Sequence, residues 1–302
     1  MPVMVVHGWQ DYNVKQDEGL SLYDALPVDN PSTKAVEGVP FKKLWLTQSS
    51  HANGSGAGYQ ELVDAFWART LKGARNGIER TPDAHSLGRT ADGASTAFTP
   101  SSSWPPAGTR SLTLEVGDGV LTPGRPPGSD TTVESYVDTG AVTEEMSLQA
   151  GAEGGAAWLY HQSDVLKSDV RIAGSAVLDA VVGASSPSQQ IDPLLVEVRP
   201  DGSLNLVERG FLDLDYRHGL AKADPSTGWL KARVRFLPQD YTFTKGSRIG
   251  LIVQSSNTVW AVPGSAGPME VSLTGRKGVS PYGPRLALPV VGLHDPEALF
   301  TK

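Results

Sequence analysis

The 302-residue sequence contains no cysteine. That excludes disulfides, a thiol nucleophile and cysteine-ligated zinc or iron–sulfur centres. No run approaches the ~18 consecutive apolar residues that a membrane helix needs. The formal net charge of −7 is the reverse of the basic excess that nucleic-acid binding needs. Neither membrane nor nucleic acid is therefore expected as a partner. The six histidines, His7, His51, His85, His161, His218 and His294, form no His-Glu-x-x-His pair. Walker loops and strand-linked Gly-x-Gly-x-x-Gly runs are also missing, so no metal and no cofactor is expected. A basic, then apolar, then small-residue leader is absent from the first residues, and the compartment stays open.

What is present is ordinary globular composition, with 39% hydrophobic residues and a length that favours two domains. The 33 glycines and 22 prolines favour many turns and short strands over long helices. Val3–His7 reads as a short, continuously apolar strand of the kind buried on both faces of a parallel sheet. A domain that begins on a central strand looks cut, and a segment before it is expected. A helix is expected near Gln16–Ala25, stopped by Pro27. A polar loop then runs from Asp29 to Pro40, followed by a strand at Phe41–Leu46. Tyr59, Leu62, Val63, Phe66 and Trp67 mark one helix face, closed by Gly73. Two strand–loop–helix units in succession imply parallel strands.

From about Thr99 the period changes to two. Ser111–Val116 alternates, as does the set Val170, Ile172, Gly174, Ala176 and Leu178. Leu194–Arg199 and Leu204–Glu208 flank Pro200-Asp201-Gly202, where Pro presets φ and Gly accepts a positive one. Leu230, Ala232, Val234 and Phe236 share one face of a strand whose other face carries Lys231, Arg233 and Arg235. A second hairpin is expected about Lys245-Gly246, and further strands at Val259–Val262 and Met269–Thr274. The fold class is thus α/β plus all-β, with residues 1–75 as an incomplete α/β unit, 76–98 as a linker and 99–302 as a jelly-roll β-sandwich.

Asp11 and His51 each follow the carboxyl end of one of two consecutive parallel strands, where open α/β sheets place functional groups. A carboxylate there fixes the tautomer of an imidazole, whose other nitrogen then accepts a proton from a nucleophile. Taken singly, Asp11 also reads as a turn former and His51 as an ordinary loop residue. In the α/β-hydrolase order a serine precedes the acid and the base. The first ten residues contain no serine, and no Gly-x-Ser-x-Gly elbow occurs downstream. The run Gly54-Ser55-Gly56-Ala57-Gly58 reads as a helix-entry loop or, alternatively, as an anion cradle.

His7-Gly8-Trp9-Gln10-Asp11-Tyr12-Asn13-Val14 resembles the acid-bearing motif of the X-prolyl dipeptidyl aminopeptidases. These are serine hydrolases of the α/β-hydrolase fold, an architecture shared by cocaine esterase and the α-amino-acid ester hydrolases. Leu159–Ser163, Val170–Gly174, Val196–Gly202 and Arg209–Leu212 resemble the family's carboxy-terminal jelly roll. The resemblance covers most of the chain. It implies the C-terminal fragment of an α/β-hydrolase domain, with Asp11 as triad acid and His51 as triad base; Trp9, Tyr12 and Asn13, as sequence neighbours of Asp11, are the candidates for lining the pocket. The gap between acid and base is long for the family, an excess that the Asp29–Pro40 loop accounts for. Serine, oxyanion donors and helical cap have no counterpart here, so the resemblance implies an N-terminal catalytic segment as partner and a peptide with a penultimate proline as substrate. A related ester hydrolase and a non-catalytic, carbohydrate-binding jelly roll are the alternatives. For the second, Trp104, Trp158, Trp229 and Trp260 are the aromatic candidates.

Overall fold

A computed structural model describes residues 2–26, 41–51, 54–95, 97–124, 131–152 and 154–301. Pro27 and the expected Asp29–Pro40 loop lie outside the described residues. The chain divides into two compact units: Met1–Gly108 with Pro238–Tyr241, and Thr109–Leu237 with Thr242–Lys302.

In the first unit, β1 (Val3–Gly8) lies parallel to β2 (Lys42–Thr47), with Val5 opposite Leu44 and His7 opposite Leu46. Between them runs α1 (Gln16–Ala25), which buries Leu20 and Tyr23 as its apolar spacing predicts. After β2 comes α2 (Tyr59–Lys72), ended by Gly73 at φ 67°, a left-handed conformation that favours glycine. Phe66 packs with Phe41 and Ile78, flanked by Met4, Leu62 and Ala65. Trp67, expected on the same face, is 50% exposed. It stands at the edge of the apolar stripe, where one further 100° step turns a side chain toward solvent.

Residues 76–98 do not behave as a linker. They contain a 3₁₀ turn at Ile78–Arg80 and β3 (Ala84–Ser86), which pairs parallel to β2 with Leu44 opposite Ala84. β4 (Thr99–Ser101) then pairs antiparallel to β3, giving the order β1-β2-β3-β4. A buried lysine explains why this stretch is ordered. Lys43 is wholly buried, and its ammonium donates to the Thr81 and Pro82 carbonyls at 2.8 and 3.1 Å and meets the Asp83 carboxylate at 3.2 Å. A buried charge without such partners would be costly.

The second unit is a β-sandwich. Its main strands are β5 (Thr109–Gly117), β6 (Val120–Thr122), β7 (Val133–Asp138), β8 (Leu159–Ser163), β9 (Val170–Gly174), β10 (Val177–Ala184), β11 (Leu194–Val198), β12 (Leu204–Arg209), β13 (Gly228–Arg235), β14 (Arg248–Val253), β15 (Gly267–Ser272) and β16 (Arg285–Val291). One ladder runs β12-β11-β14-β8. In the other, β10 pairs with β13 on one side and successively with β16 and β15 on the other; β16 continues to β5, and β15 to β7. Leu112, Leu114, Leu178, Val182, Val234, Leu286 and Leu288 are at most 1% exposed. Leu194, Val196 and Ile252 form a separate cluster with Leu148 and Trp158, which leaves β11 buried on both faces.

The Pro200-Asp201-Gly202 turn joins β11 to β12 as expected, with Gly202 at φ 84°. The second hairpin is not formed. Arg248–Val253 pairs with β8 and β11, whereas Gln239–Phe243 has other neighbours. Nor is Val259–Val262 a strand: Val259 and Val262 are 65% and 86% exposed, so neither is held by a core.

Asp192, 1% exposed, gives the sandwich a pH dependence. Burial pushes its carboxyl up from the ordinary 3.8 to about 8, and nearby Asp138 and Asp213 add to this against a bond from the Leu212 amide. The folded state therefore holds a proton that the unfolded chain has released, and stability falls as pH rises across that interval. Relative to Asp192→Asn, the wild-type denaturation midpoint is expected to drop between about pH 5 and pH 8. Parallel curves for the two proteins would contradict this.

Candidate functional site

The acid loop begins where β1 stops. Trp9 and Gln10 carry the parallel pairing two residues further, donating to the Thr47 and Ser49 carbonyls at 2.8 and 3.0 Å. Gly8 makes this approach feasible, because a Cβ there would stand 2.4 Å from the Ser49 carbonyl oxygen. The chain then turns, with the Asp11 amide donating back to the Gly8 carbonyl at 3.2 Å. One Asp11 carboxylate oxygen accepts the Asn13 and Val14 amides at 3.3 and 3.2 Å. The other lies 2.8 Å from Nδ1 of His51. The two residues singled out from the sequence are therefore in direct contact.

Their environments differ sharply. Asp11 is wholly buried, whereas the His51 side chain is 64% exposed. Burial alone raises the Asp11 pKa, but the Val14 amide, His51 and the Asn13 amide outweigh it and hold the carboxyl below its ordinary value. An ionised Asp11 accepts from Nδ1–H, which fixes the tautomer and leaves Nε2 with its lone pair facing outward. Among the described residues Nε2 has no hydrogen-bond partner. Such a dyad can abstract a proton from a hydroxyl presented to it and return that proton to a leaving group.

Several residues behind the dyad escape a reading by motif. His7 is 5% exposed, and its Nε2 donates to the Val14 carbonyl at 3.2 Å, so Val14 is pinned through both its amide and its carbonyl. Burial lowers the His7 pKa from its ordinary value against the opposing pull of Asp11. Gln16, also buried, donates to the Trp9 carbonyl. The available signal was phase: Val5 and His7 fall on the same side of β1, which marks His7 as interior. On the base side, Gln48 donates to the Leu87 carbonyl at 2.7 Å and to the Gln239 side chain at 3.3 Å, which ties down the approach to His51.

The pocket neighbours sort differently. Trp9 is wholly buried, donates to Ser86 Oγ at 3.2 Å and packs 5.2 Å from Trp104. It supports the loop from beneath and lines no wall. Tyr12 and Asn13 are exposed. A cavity of about 590 Å³ in this unit is lined by residues including Trp45, Leu62, Ile78, His85 and Phe98, with neither dyad member among them. The Gly54–Gly58 run is closed by rings: a Cβ on Gly54 would collide with Tyr59, and one on Gly56 with Phe98.

Comparison with known proteins places the chain. The model of the X-Pro dipeptidyl-peptidase C-terminal non-catalytic domain matches residues 76–277. The chain belongs to this family. A Streptomyces avermitilis protein described as an Xaa-Pro dipeptidyl-peptidase is 28% identical over 96% of the chain, which covers 42% of that protein. A Bacillus anthracis protein of the same description is 24% identical over 88% of the chain, again covering 42% of its length. The chain thus spans under half the length of these curated relatives and corresponds to the C-terminal part of an X-Pro dipeptidyl-peptidase. Among solved structures, an aminopeptidase from a marine-sediment Thaumarchaeota archaeon matches with a TM-score of 0.74 and 18% identity, covering 96% of this chain and 55% of that one. A CocE/NonD family hydrolase from Staphylococcus aureus matches at 0.71 and 14%, covering 96% and 54%. Both likenesses are of fold. The X-Pro dipeptidyl-peptidase domain model begins after the dyad, at residue 76, whereas the curated relatives extend over nearly the whole chain.

Proposed function

We propose that this chain carries the acid and the base of a serine-type Xaa-Pro dipeptidyl-peptidase, with the nucleophile supplied by polypeptide outside these 302 residues. Residues 1–75, with β3 and β4 extending their sheet, are then the C-terminal part of an α/β-hydrolase domain, and the sandwich is the jelly roll that follows it. The observation that carries the reading is the 2.8 Å contact between buried Asp11 and outward-facing His51, set at the ends of two adjacent parallel strands. A second feature agrees. Among the described strands β1 pairs with β2 alone, so its other edge is open to a further parallel strand.

In the assembled enzyme, Nε2 of His51 takes the proton of the serine hydroxyl as its oxygen attacks the carbonyl carbon after the penultimate proline. Asp11 stabilises the imidazolium formed. That proton passes to the departing amine, and the N-terminal dipeptide stays on the serine as an ester. Water then attacks the ester, giving its proton to His51, and the serine recovers it as the dipeptide leaves.

The likeness to the CocE/NonD hydrolase favours one second reading, an acyl-ester hydrolase using the same dyad. A substrate panel separates them. The chain extended upstream to the length of its relatives is expected to prefer Gly-Pro-p-nitroanilide over Gly-Gly-p-nitroanilide and over p-nitrophenyl butyrate in kcat/KM. Preference for the butyrate ester would move the assignment to the esterase.

A further inference from the structure

The four tryptophans named from the sequence have different fates. Trp104 is buried beside Trp9, and Trp158 packs on the Leu194 cluster. Trp260 donates to Glu144 at 3.1 Å, with the Arg209 guanidinium 4.0 Å from its ring centre. Trp229 lines a groove, of about 450 Å³, on the sandwich. That volume lies in the ordinary range of small-ligand sites, about 300–1,000 Å³.

The groove is built by strand register. Ser135 on β7 stands opposite Glu270 on β15, Glu270 opposite Gly183 on β10, and Gly183 opposite Trp229 on β13. Directly paired residues share a sheet face, so the four form one row across four strands. Their neighbours in sequence, Tyr136, Met269, Val182 and Leu230, point into the core and are at most 8% exposed. The row therefore looks outward. Gly183 is its floor: a Cβ there would stand 2.9 Å from Glu270 Oε2 and 3.4 Å from the Trp229 ring. Any larger residue would fill the space between indole and carboxylate.

The chemistry of the row selects a ligand class. Glu270 is the one charged group of the lining, is exposed, and has no partner among the described residues. A carboxylate in that state accepts hydrogen bonds from hydroxyls or attracts a cation. The cation option is weakened because the Arg276 guanidinium, 3.7 Å from the Trp229 ring centre, takes one face of the indole and would repel a second cation brought to the other, which stays free for an uncharged group. What remains is a neutral polyol, its C–H face against the indole and its hydroxyls toward Glu270, Ser135 and Ser185. We propose that the Ser135–Glu270–Gly183–Trp229 row is a binding site for a neutral saccharide chain. The site is independent of the Asp11–His51 dyad and of the activity proposed for it.

The test uses the whole chain, titrated with cellohexaose, xylohexaose, chitohexaose and mannohexaose. The assigned Trp229 indole N–H resonance and calorimetry are the readouts. At least one sugar is expected to saturate with shifts at Trp229 and a Kd between about 10⁻⁵ and 10⁻³ M. Trp229→Ala is expected to weaken it by about tenfold or more. Gly183→Val, which fills the floor while keeping both flanking groups, is expected to do the same, and Glu270→Gln to weaken binding several-fold. No saturable response to any sugar up to about 10 mM would overturn the proposal. So would unchanged affinity in Trp229→Ala and Gly183→Val, or capture of a proline-rich peptide by these residues without a sugar response.

Discussion

Replacing His51 with alanine in the upstream-extended enzyme is expected to lower kcat for Gly-Pro-p-nitroanilide by about 10²–10⁴-fold, the typical contribution of a positioned general acid–base group. KM is expected to change little, because the imidazole acts on the proton in transit and not on the bound dipeptide. Asp11→Asn keeps the shape of the acid but offers an amide where Nδ1–H needs an acceptor, so the ring turns its wrong nitrogen outward. Its loss is expected to be of the same order as that of His51→Ala, and the double variant no worse than the poorer single one, since the two act as a unit. Steady-state kinetics on the three variants checks this. Full activity in His51→Ala would remove the base from the mechanism.

The second large effect is on stability. Trp9→Ala deletes a wholly buried indole, takes a tilted ring contact from Trp104 and leaves the Ser86 hydroxyl without its donor. Such a truncation is expected to cost about 3–5 kcal/mol. Trp9→Phe keeps most of the volume and loses the N–H bond, with an expected cost near 1 kcal/mol for the bond itself. Denaturant unfolding of the three proteins reads both numbers. Trp9 lies two residues from Asp11, so the alanine variant is also expected to loosen the acid loop. A Trp9→Ala midpoint equal to that of wild type would show that the indole is not the support described here.

These effects come from a part of the fold that the sequence made largely legible. β1 is an unbroken apolar run, α1 and α2 have clear apolar spacing, and the Pro-Asp-Gly turn carries its own backbone preference, so each is specified locally. The contact between Asp11 and His51 was also legible, since consecutive parallel strands bring their carboxyl ends side by side. What failed depends on distant partners. β3 is three residues long, too short for periodicity, and its order comes from the β2 ladder and buried Lys43. The choice of β8 and β11 as partners of Arg248–Val253 cannot be read from the Lys245-Gly246 turn beside it. Val259–Val262 has the composition of a strand, yet its tryptophan is engaged by Glu144 and Arg209 and its valines face solvent. Trp9 was misjudged because proximity to Asp11 in sequence says nothing of which way an indole points.

The role of the sandwich is the more separable question. Its family is that of a non-catalytic domain, and the row proposed to bind a saccharide lies within the β-sandwich. A saccharide site there would give this part of the chain a function of its own, whatever the reaction at the dyad.

The central claim is that Asp11 and His51 are the acid and base of a triad whose nucleophile lies outside these residues. Release of p-nitroaniline from Gly-Pro-p-nitroanilide, measured with this chain alone and with the upstream-extended form, tests it most directly. The account predicts no release above background from the 302-residue chain, robust release from the extended form, and loss of that release in His51→Ala. Turnover by the chain alone would contradict it, because a nucleophile would then have to lie within these residues.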